Sequence, residues 1–331
     1  MKPYHPPFTL TPRMLQLVAD IGERVGRLAI QQDGSLAPQL RRGNRIRTIQ
    51  ASLAIENNTL SVEQVTAVLE GKRVLGLPRE IQEVRNAFAA YEAMEHWQPS
   101  QRADLLEAHR LLMQGLIDEL GQYRRGGVGI YRDGQLLHMA PPADRVPILM
   151  GDLLQWLSSC ELHPLIASCV FHYEFEFIHP FADGNGRIGR LWQTLILSRW
   201  RPVLAYLPVE SVIREQQGAY YAALAAADRA GEATPFVEFM LAALHQALLE
   251  VALTDQVTDQ VTDQVAQLLR VLAPGVSLKA SELMQRLALS HRPTFTQNYL
   301  RPALESGVIE MTEPASPRSP QQRYRRASNA Q

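Results

Sequence analysis

The most informative stretch of the chain runs from residue 179 to residue 190. It reads His179-Pro180-Phe181-Ala182-Asp183-Gly184-Asn185-Gly186-Arg187-Ile188-Gly189-Arg190. A proline and closely spaced glycines in so short a run predict the end of one helix, a tight loop and the first turn of another helix. The apolar spacing on either side predicts these two helices near 162–178 and 187–200.

The loop carries groups that suit a phosphorylated ligand. Gly184 and Gly186 can take positive φ, so consecutive backbone N–H groups can converge on an anion in front of a helix N-terminus. Arg187 and Arg190 lie three residues apart and share a face of the second helix. Their planar guanidinium groups suit phosphate oxygens better than lysine would. The loop therefore predicts a phosphate-binding site.

Two more side chains of the loop supply reaction chemistry. Asp183 is a hard oxygen ligand beside the expected phosphates, where Mg²⁺ would sit. His179 is the one side chain of the loop that can accept a proton near neutral pH. A base, a metal ligand, an anion-binding loop and two arginines within twelve residues predict a phosphoryl-type site.

Other motifs match parts of the same stretch. The glycines have the spacing of a dinucleotide fingerprint, with Glu210 at a suitable distance, but Pro180 would interrupt the strand that must precede them. An EF-hand would need Glu where Thr194 stands, and a P-loop would need a Gly-Lys-Ser/Thr sequence that the chain lacks. A plain solvated turn would leave His179 and both arginines unexplained. The phosphoryl-type site is the better interpretation.

The stretch resembles the Fic motif, His-Pro-Phe-x-Asp/Glu-Gly-Asn-Gly-Arg-x-x-Arg, at every defined position. The resemblance covers roughly residues 40–250. It implies a mainly α fold, a Fic helical core with a β-hairpin flap. It also implies transfer of AMP from Mg·ATP to a Ser, Thr or Tyr hydroxyl of a target protein or of the enzyme itself.

The resemblance assigns a role to each motif position. His179 is expected to be the base that deprotonates the target hydroxyl, and Asp183 the Mg²⁺ ligand. Arg187 is expected to steady the triphosphate, with Arg190 reaching the γ-phosphate. The full set of expected ATP-binding residues is Glu56, His179, Gly184, Asn185, Gly186, Arg187, Ile188, Gly189, Arg190, Tyr220 and Tyr221, with Gly184, Asn185 and Gly186 holding the α- and β-phosphates.

A hairpin precedes the motif. The apolar residues of 128–131 and 136–137 flank Asp133-Gly134, a pair that favours a primed two-residue turn. It resembles the Fic flap that pins a target segment by backbone pairing, with Leu136, Leu137 and His138 as the flap residues.

A second, shorter motif lies upstream. Ser52-Leu53-Ala54-Ile55-Glu56-Asn57 matches the inhibitory pattern Ser/Thr-x-x-x-Glu-Gly/Asn of the same family. Ser52 and Glu56 are four apart and would share a face of a helix near 46–57. The resemblance implies that Glu56 reaches Arg190 and occupies the γ-phosphate position. The chain would then carry its own brake, with Ser52, Glu56 and Asn57 as the inhibitory residues.

The remaining helices follow from apolar spacing of three and four. They are predicted near 79–96, 102–119, 143–158, 211–228 and 233–253. Ser61 and Gln64 form a capping-box pattern that opens a further short helix, and Gly71 is a plausible stop.

The C-terminal quarter has a different pattern. From Thr254 to Val265 the chain repeats Thr-Asp-Gln-Val, which keeps the valines near one helical stripe and favours an amphipathic linker helix over a self-association stripe. Helices at 280–287 and 293–305, with a kink at Pro302, precede two short strands at 308–312 and 323–326. This order predicts a winged helix.

The composition limits the remaining choices. The chain has 331 residues, a net charge of −1 and two cysteines, with no signal-peptide pattern and no apolar run long enough for a bilayer. A cytoplasmic protein without membrane contact is expected. The expected domains are an N-terminal helical region (1–100), a Fic catalytic domain (101–250), a linker helix (251–272) and a winged-helix-like domain (273–331).

Three functions are compatible with these patterns. Protein adenylylation restrained by Glu56 is the first. A hydrolase that uses Glu56 to remove AMP from a modified protein is the second. A nucleotide-sensing DNA-binding regulator is the third, because residues 266–331 hold nine Lys/Arg against four Asp/Glu. DNA binding is not favoured, since winged helices also contact proteins. A homodimer is compatible with the sequence.

Overall fold

The computed structural model describes residues 4–31, 38–132, 135–273, 275–305, 307–314, 316, 319 and 321–327. The chain divides into two compact units, Met1–Leu249 and Glu250–Gln331. The described residues are mostly helical, with one two-stranded sheet in each unit. The prediction of a mainly α fold is confirmed. No helix among these residues is both long and apolar enough to cross a membrane.

Helices build most of the first unit. In chain order they are α1 (Pro12–Gln31), α2 (Pro38–Ile55), α3 (Val62–Leu69), α4 (Pro78–Ala93), α5 (Arg102–Met113), α6 (Val146–Ser159), α7 (Pro164–Ile178), α8 (Asn185–Trp200), α9 (Val209–Glu215), α10 (Gln217–Ala230) and α11 (Thr234–Val271), which continues into the second unit.

The core of the first unit is the pair α7 and α8. Nearly every side chain of α7 is buried, including Phe171 and Phe175, and α8 buries Ile188 and Trp192. A helix buried all round must lie at the centre of the fold. The loop 179–184 therefore joins two central helices, as the sequence predicted, and it is fixed on both sides.

Two predicted helices are wrong in extent. α5 ends at Met113 and not at 119, because the Asn86 amide of α4 donates to the carbonyl oxygens of Leu112 and Gln114, and Gly115 then turns the chain at φ 72. The predicted helix 211–228 is two helices, broken at Gln216, which has φ −106 and ψ 30. Conversely, the helix predicted for 233–253 and the predicted linker helix form the single helix α11.

The inhibitory pattern marks the end of a helix. α2 stops at Ile55, so Glu56 lies just beyond the last full turn and not within the predicted helix 46–57. Asn57 has φ 68; its N–H donates to Ala54 and the N–H of Asn58 donates to Leu53. This is a Schellman ending, in which a left-handed residue satisfies the last carbonyl groups. The requirement for Gly or Asn at position 57 has this physical cause.

The capping box that opens α3 is confirmed. The Ser61 hydroxyl accepts from the N–H of Gln64, the Gln64 side chain accepts from the N–H of Ser61, and Gly71 takes φ 72 just past the helix end.

The predicted hairpin is present as β1 (Gly129–Arg132) and β2 (Gln135–Met139). The strands pair antiparallel, with a bulge between Ile130 and Tyr131. The predicted turn Asp133-Gly134 lies outside the described residues, as do the side chains of Leu136, Leu137 and His138.

The second unit has the predicted order of helices and strands. α12 (Ala280–Arg286), α13 (Arg292–Phe295) and α14 (Arg301–Glu305) precede the antiparallel strands β3 (Ile309–Met311) and β4 (Tyr324–Arg326). A π-helical turn, Thr296–Leu300, precedes the predicted kink at Pro302, whose ring nitrogen has no hydrogen to donate. The core of the unit includes Leu268, Leu283 and Phe295.

Candidate active site

The loop after α7 begins at a strained residue. His179 ends the helix at φ 49, a left-handed conformation that a non-glycine residue adopts at a cost. Arg124, only 3% exposed, donates to the carbonyl oxygens of His179 (2.7 Å), Ile178 (3.3 Å) and Pro141 (2.5 Å). These bonds hold the backbone of His179 in place. No motif in the sequence points to Arg124.

Asn185 closes the loop. Its side-chain oxygen accepts from the N–H of Phe181 and its amide donates to the carbonyl of the same residue, both at 2.9 Å. The Asn185 side chain is therefore engaged within the loop, and its backbone N–H, at the start of α8, is a donor that a phosphate can use.

The ring of His109 packs against the loop. Its ring stacks on Phe181 at 3.8 Å, and it bonds the N–H of Gly121 and the carbonyl of Asp183. Burial lowers the pKa of His109 to about 4, so the ring is neutral and serves as a fixed spacer.

The N-terminus of α8 faces Glu56. Gly184 precedes the helix at φ 84, and the first backbone N–H groups of α8 have no acceptor within the helix. A Cβ atom at Gly186 would overlap Oε1 of Glu56 and lie 3.1 Å from Nη1 of Arg190. Glu56 therefore sits against the helix N-terminus, at the place where the sequence predicts phosphate.

Glu56, Ser52 and Arg190 form one polar cluster. Nη2 of Arg190 lies 2.9 Å from Oε1 of Glu56 and donates to the carbonyl of Ser52 at 2.9 Å, while Nε donates to the Ser52 hydroxyl at 3.0 Å. Burial alone would lower the pKa of Arg190, but the carboxylates of Glu56 and Glu176 raise it above its ordinary value. Arg190 is thus a buried cation held by the end of α2.

Asp183 and Arg187 belong to a separate network. Oδ1 of Asp183 lies 3.2 Å from Arg187 and Oδ2 lies 3.4 Å from Arg79. Arg187 also lies 3.4 Å from Glu83, which accepts from the amide of Asn58 at 2.8 Å. The Asp183 side chain is 44% exposed. A half-exposed carboxylate fits Mg²⁺, which takes one or two protein carboxylates and leaves its other positions to water and phosphate.

A cavity of about 140 Å³ joins several predicted residues. Its polar end is lined by Glu56, His179, Gly186 and Arg190, and its other end by residues of α7 and α10. Tyr220 and Tyr221 both line it. The Tyr220 ring is 2% exposed and packs edge-on against Tyr221 at 5.3 Å.

Other predicted residues lie elsewhere. Ile188 is fully buried in the core, and Gly189 faces α7, where a Cβ atom would come within 2.8 Å of Glu176. Any contact of these two with ATP would have to come from the backbone.

Three polar residues that line the cavity were not predicted from the sequence: Tyr173, Glu176 and Asp228. Tyr173 donates to the Asp228 carboxylate at 2.9 Å, and Glu176 lies 3.9 Å from Nδ1 of His179. Glu176 stands three residues before His179, a spacing that places both on one helix face and could have indicated it. No comparable signal in the sequence points to Asp228.

Comparison with known proteins gives two family matches. Residues 99–197 match the Fic/DOC family, and residues 263–327 match the C-terminal domain described as "Filamentation induced by cAMP protein Fic-like". The Protein adenylyltransferase Fic of Drosophila virilis is 31% identical over 224 residues, which are 64% of this chain and 44% of that protein. The chain thus spans less than half the length of this curated relative.

Solved structures agree with the family matches. Fic-1 from C. elegans has 24% identity, a TM-score of 0.60 and coverage of 74% of this chain and 73% of that one, which supports the fold. A Fic family protein from Desulfovibrio desulfuricans G20 has 65% identity and a TM-score of 0.75, covering 99% of this chain and 100% of that one. A chain that shares this much sequence with a whole Fic protein, and that folds its motif into the loop between α7 and α8, belongs to the Fic/DOC family.

Proposed function

We propose that this chain transfers AMP from ATP to a Ser, Thr or Tyr hydroxyl of a target protein or of itself. The hydroxyl oxygen attacks the α-phosphorus of ATP while His179 takes the hydroxyl proton. A bond forms between that oxygen and the α-phosphorus, the bond to the β-phosphate oxygen breaks, and pyrophosphate leaves. The likeness to proteins named Protein adenylyltransferase Fic supports this reaction.

One observation carries the proposal. A basic side chain, a helix N-terminus and a buried cation line the same cavity: His179, Gly186 and Arg190. Backbone N–H groups at a helix N-terminus and an arginine suit the phosphates of a nucleotide. A histidine beside them can serve as the general base for an attacking hydroxyl. Tyr220 and Tyr221 extend the cavity on the side where the nucleoside would lie.

Asp183 is the residue we propose to hold Mg²⁺. Bound there, the metal would neutralise charge on the phosphates as pyrophosphate leaves. Arg187, 3.2 Å from the same carboxylate, would keep it oriented and contact the phosphates beside it.

We further propose that Glu56 restrains the reaction. The carboxylate lies against Gly186 and is bonded to Arg190, so it competes with phosphate for both groups. ATP would bind in a non-productive pose until Glu56 moves away.

Removal of AMP from a modified protein is the second candidate. Glu56 lines the same cavity as His179, so its carboxylate can orient a water molecule there. Under that alternative Glu56 is needed for activity and does not restrain it.

DNA binding is not proposed. In the described part of the second unit, Arg325 lies 2.6 Å from Glu310, Arg326 donates to the carbonyl of Leu272, and Arg323 lies 3.7 Å from Glu282. Arginine side chains that already contact carboxylates or carbonyl groups are less available to bind the phosphates of DNA. A gel shift at two salt concentrations checks this, because phosphate contacts weaken steeply with salt. The winged-helix assignment, self-association and the bounds of the four predicted domains stay predictions.

Labelling with [α-³²P]ATP tests the main proposal. We expect Glu56→Gly to label itself and proteins of a cell lysate, and Glu56→Gly with His179→Ala to lose about 10²-fold or more of that transfer while ATP still binds. His96→Ala, which changes a histidine whose side chain is 78% exposed, is the matched control. Transfer that survives in the His179 variant within threefold contradicts the proposed base, and mass spectrometry of the lysate identifies the modified residues.

A further inference from the structure

Three ionisable side chains follow one face of α7. His172, Glu176 and His179 are spaced by four and three residues, so they stack along the helix. Oε1 of Glu176 lies 3.8 Å from Nε2 of His172, and Oε2 lies 3.9 Å from Nδ1 of His179. The Glu176 residue is 8% exposed and His172 is fully buried. The carboxylate is therefore placed between a buried histidine and the proposed base.

The space for this carboxylate is kept open by α8. A Cβ atom at Gly189 would lie 2.8 Å from Oε1 of Glu176 and 3.1 Å from the His172 ring. Any side chain at position 189 would push Glu176 out of its place. The Fic motif leaves this position undefined. In this chain glycine is needed there because Glu176 and His172 leave no room for a Cβ atom.

His172 is fixed by bonds of its own. Its Nδ1 lies 2.7 Å from the side-chain oxygen of Gln193, and the Tyr220 hydroxyl lies 3.2 Å from Nε2. Because Gln193 and Tyr220 hold the ring from both sides, Glu176 has a rigid neighbour on its inner flank. The flank toward His179 opens on the cavity.

Glu176 remains ionised in this setting. Burial alone would raise the pKa of its carboxyl, but the interaction with His172 and the charges of His172, His179 and Arg190 hold it below its ordinary value. The other titratable groups that face it are the hydroxyls of Tyr220 and Tyr221 on α10. Burial and the Glu176 charge raise the pKa of both hydroxyls, so both tyrosines stay protonated and neutral beside the ionised carboxylate.

We propose that Glu176 is a positioning residue for His179, an inference that rests on the proposed function. Its carboxylate holds Nδ1 of His179 toward the core and leaves Nε2 to take the proton of the target hydroxyl. Once the proton has moved, the imidazolium of His179 is stabilised by the negative charge 3.9 Å away. A base oriented by a third group is the general arrangement of activated nucleophiles. The alternative is a purely structural role for Glu176 between α7 and α8.

The first test is an NMR titration of the histidines in the full chain. In Glu176→Gln, an isosteric change, we expect the titration midpoint of the His179 ring to fall by about one pH unit, because the charge that favours imidazolium is gone. Glu174→Gln is the matched control: it removes an equally buried carboxylate from the same helix, one that accepts from Tyr4 and not from a histidine. Gly189→Ala should reproduce the lowered midpoint with Glu176 intact. An unchanged midpoint in Glu176→Gln overturns the proposal.

The second test is kinetic and uses the Glu56→Gly background. With Glu176→Gln we expect kcat to fall about ten-fold or more, KM for ATP to stay within about twofold, and the acid limb of the pH profile to move down with the NMR midpoint. A loss of rate at an unchanged pH profile indicates a structural role and overturns the proposal. If the Glu56→Gly chain transfers no AMP at all, the proposed function fails, and the NMR midpoint still decides whether Glu176 acts on His179.

Discussion

Oε1 of Glu56 lies 2.9 Å from Nη2 of Arg190, a contact that joins the end of α2 to the second turn of α8. The two partners differ in exposure, since the side chain of Arg190 is 2% exposed and that of Glu56 is 37% exposed. Loss of the carboxylate leaves the arginine buried without it, whereas loss of the arginine leaves a half-exposed carboxylate that water can solvate. A ligand that brings its own negative charge to Arg190 can replace Glu56 at little cost. The pair is therefore suited to exchange with a phosphate.

Replacement of Glu56 should activate transfer. In Glu56→Gly we expect self-labelling from [α-³²P]ATP to rise about ten-fold or more, because Arg190 and the N–H groups near Gly186 become available to phosphate. A ten-fold gain corresponds to only about 1.4 kcal/mol, well within what a partly buried ion pair can withhold. The double variant Glu56→Gly with Arg190→Ala should lose the gain. Arg47→Ala, a charge change on α2 whose side chain bonds Asn44, is the control and should have little effect.

The opposite result has a definite meaning. If Glu56→Gly leaves adenylylation unchanged and abolishes removal of AMP from a modified protein, Glu56 is a hydrolytic residue. The chain is then chiefly a de-AMPylating hydrolase, the second candidate above.

The backbone at Asn57 should control the same contact. Asn57 has φ 68, a conformation that costs a Cβ-bearing residue without a polar side chain about 1 kcal/mol and costs glycine little. We expect Asn57→Ala to lower the free energy of unfolding by about that amount and to raise basal labelling, because the Schellman ending positions Glu56. Asn57→Gly should retain both stability and restraint. Urea denaturation and the labelling assay measure the two effects, and equal behaviour of the two variants contradicts this role.

Asp183 should be needed for the metal dependence of nucleotide binding. In the Glu56→Gly background, calorimetry with and without Mg²⁺ measures how much the metal tightens ATP binding. We expect Asp183→Asn to abolish most of that gain, because an amide is a poorer ligand for a hard cation than a carboxylate. Arg79→Gln, which removes a cation 3.4 Å from the same carboxylate, should preserve it. An unaltered Mg²⁺ titration curve in Asp183→Asn excludes Asp183 as the ligand.

The motif loop could be predicted from sequence because its geometry is local. The sequence predicts a loop between two helices that Gly184 and Gly186 let turn through positive φ; the loop is present and Gly184 has φ 84, whereas Gly186 lies within α8 and does not take positive φ. The capping box of α3 was predictable for the same reason. Each feature needs only a few adjacent side chains and backbone groups to form.

The errors have non-local causes. α5 ends at Met113 because an amide from α4 satisfies its last carbonyl groups, and no pattern within α5 indicates this. Glu176 and Asp228 reach the cavity through the packing of α7 against α8 and α10. Gly189, which the Fic resemblance places among the ATP-binding residues, also faces α7, and no pattern in the sequence indicates that contact. The spacing of residues in the sequence indicates which side chains share a face of a helix. It does not indicate which other helix packs against that face.

A buried carboxylate also lies close to α2, the helix that ends just before Glu56. Glu210, on α9, is fully buried; its Oε1 accepts from the Tyr91 hydroxyl at 3.1 Å, and Oε2 has no hydrogen-bond partner among the described residues. Arg45 of α2 stacks over the Tyr91 ring at 4.9 Å. Burial raises the pKa of Glu210 from 4.5 to about 7, against the opposing effects of its backbone bond, Arg190, Tyr91 and Arg45.

This carboxylate should make the stability of the first unit fall as the pH rises. The unfolded chain releases the Glu210 proton near pH 4.5 and the folded chain holds it to about pH 7, so the folded state binds more protons between these values. The stabilising effect of the bound proton is complete below pH 4.5 and is lost as the pH passes 7, a change of about 3 kcal/mol for the full difference. Glu210→Gln cannot titrate, so urea denaturation from pH 5 to pH 8 should show wild type losing stability relative to this variant as the pH increases. Glu215→Gln changes an exposed carboxylate of the same helix, and its free energy of unfolding should change with pH as that of wild type does. If the difference between wild type and Glu210→Gln is constant across this range, Glu210 does not titrate there and carries its charge throughout.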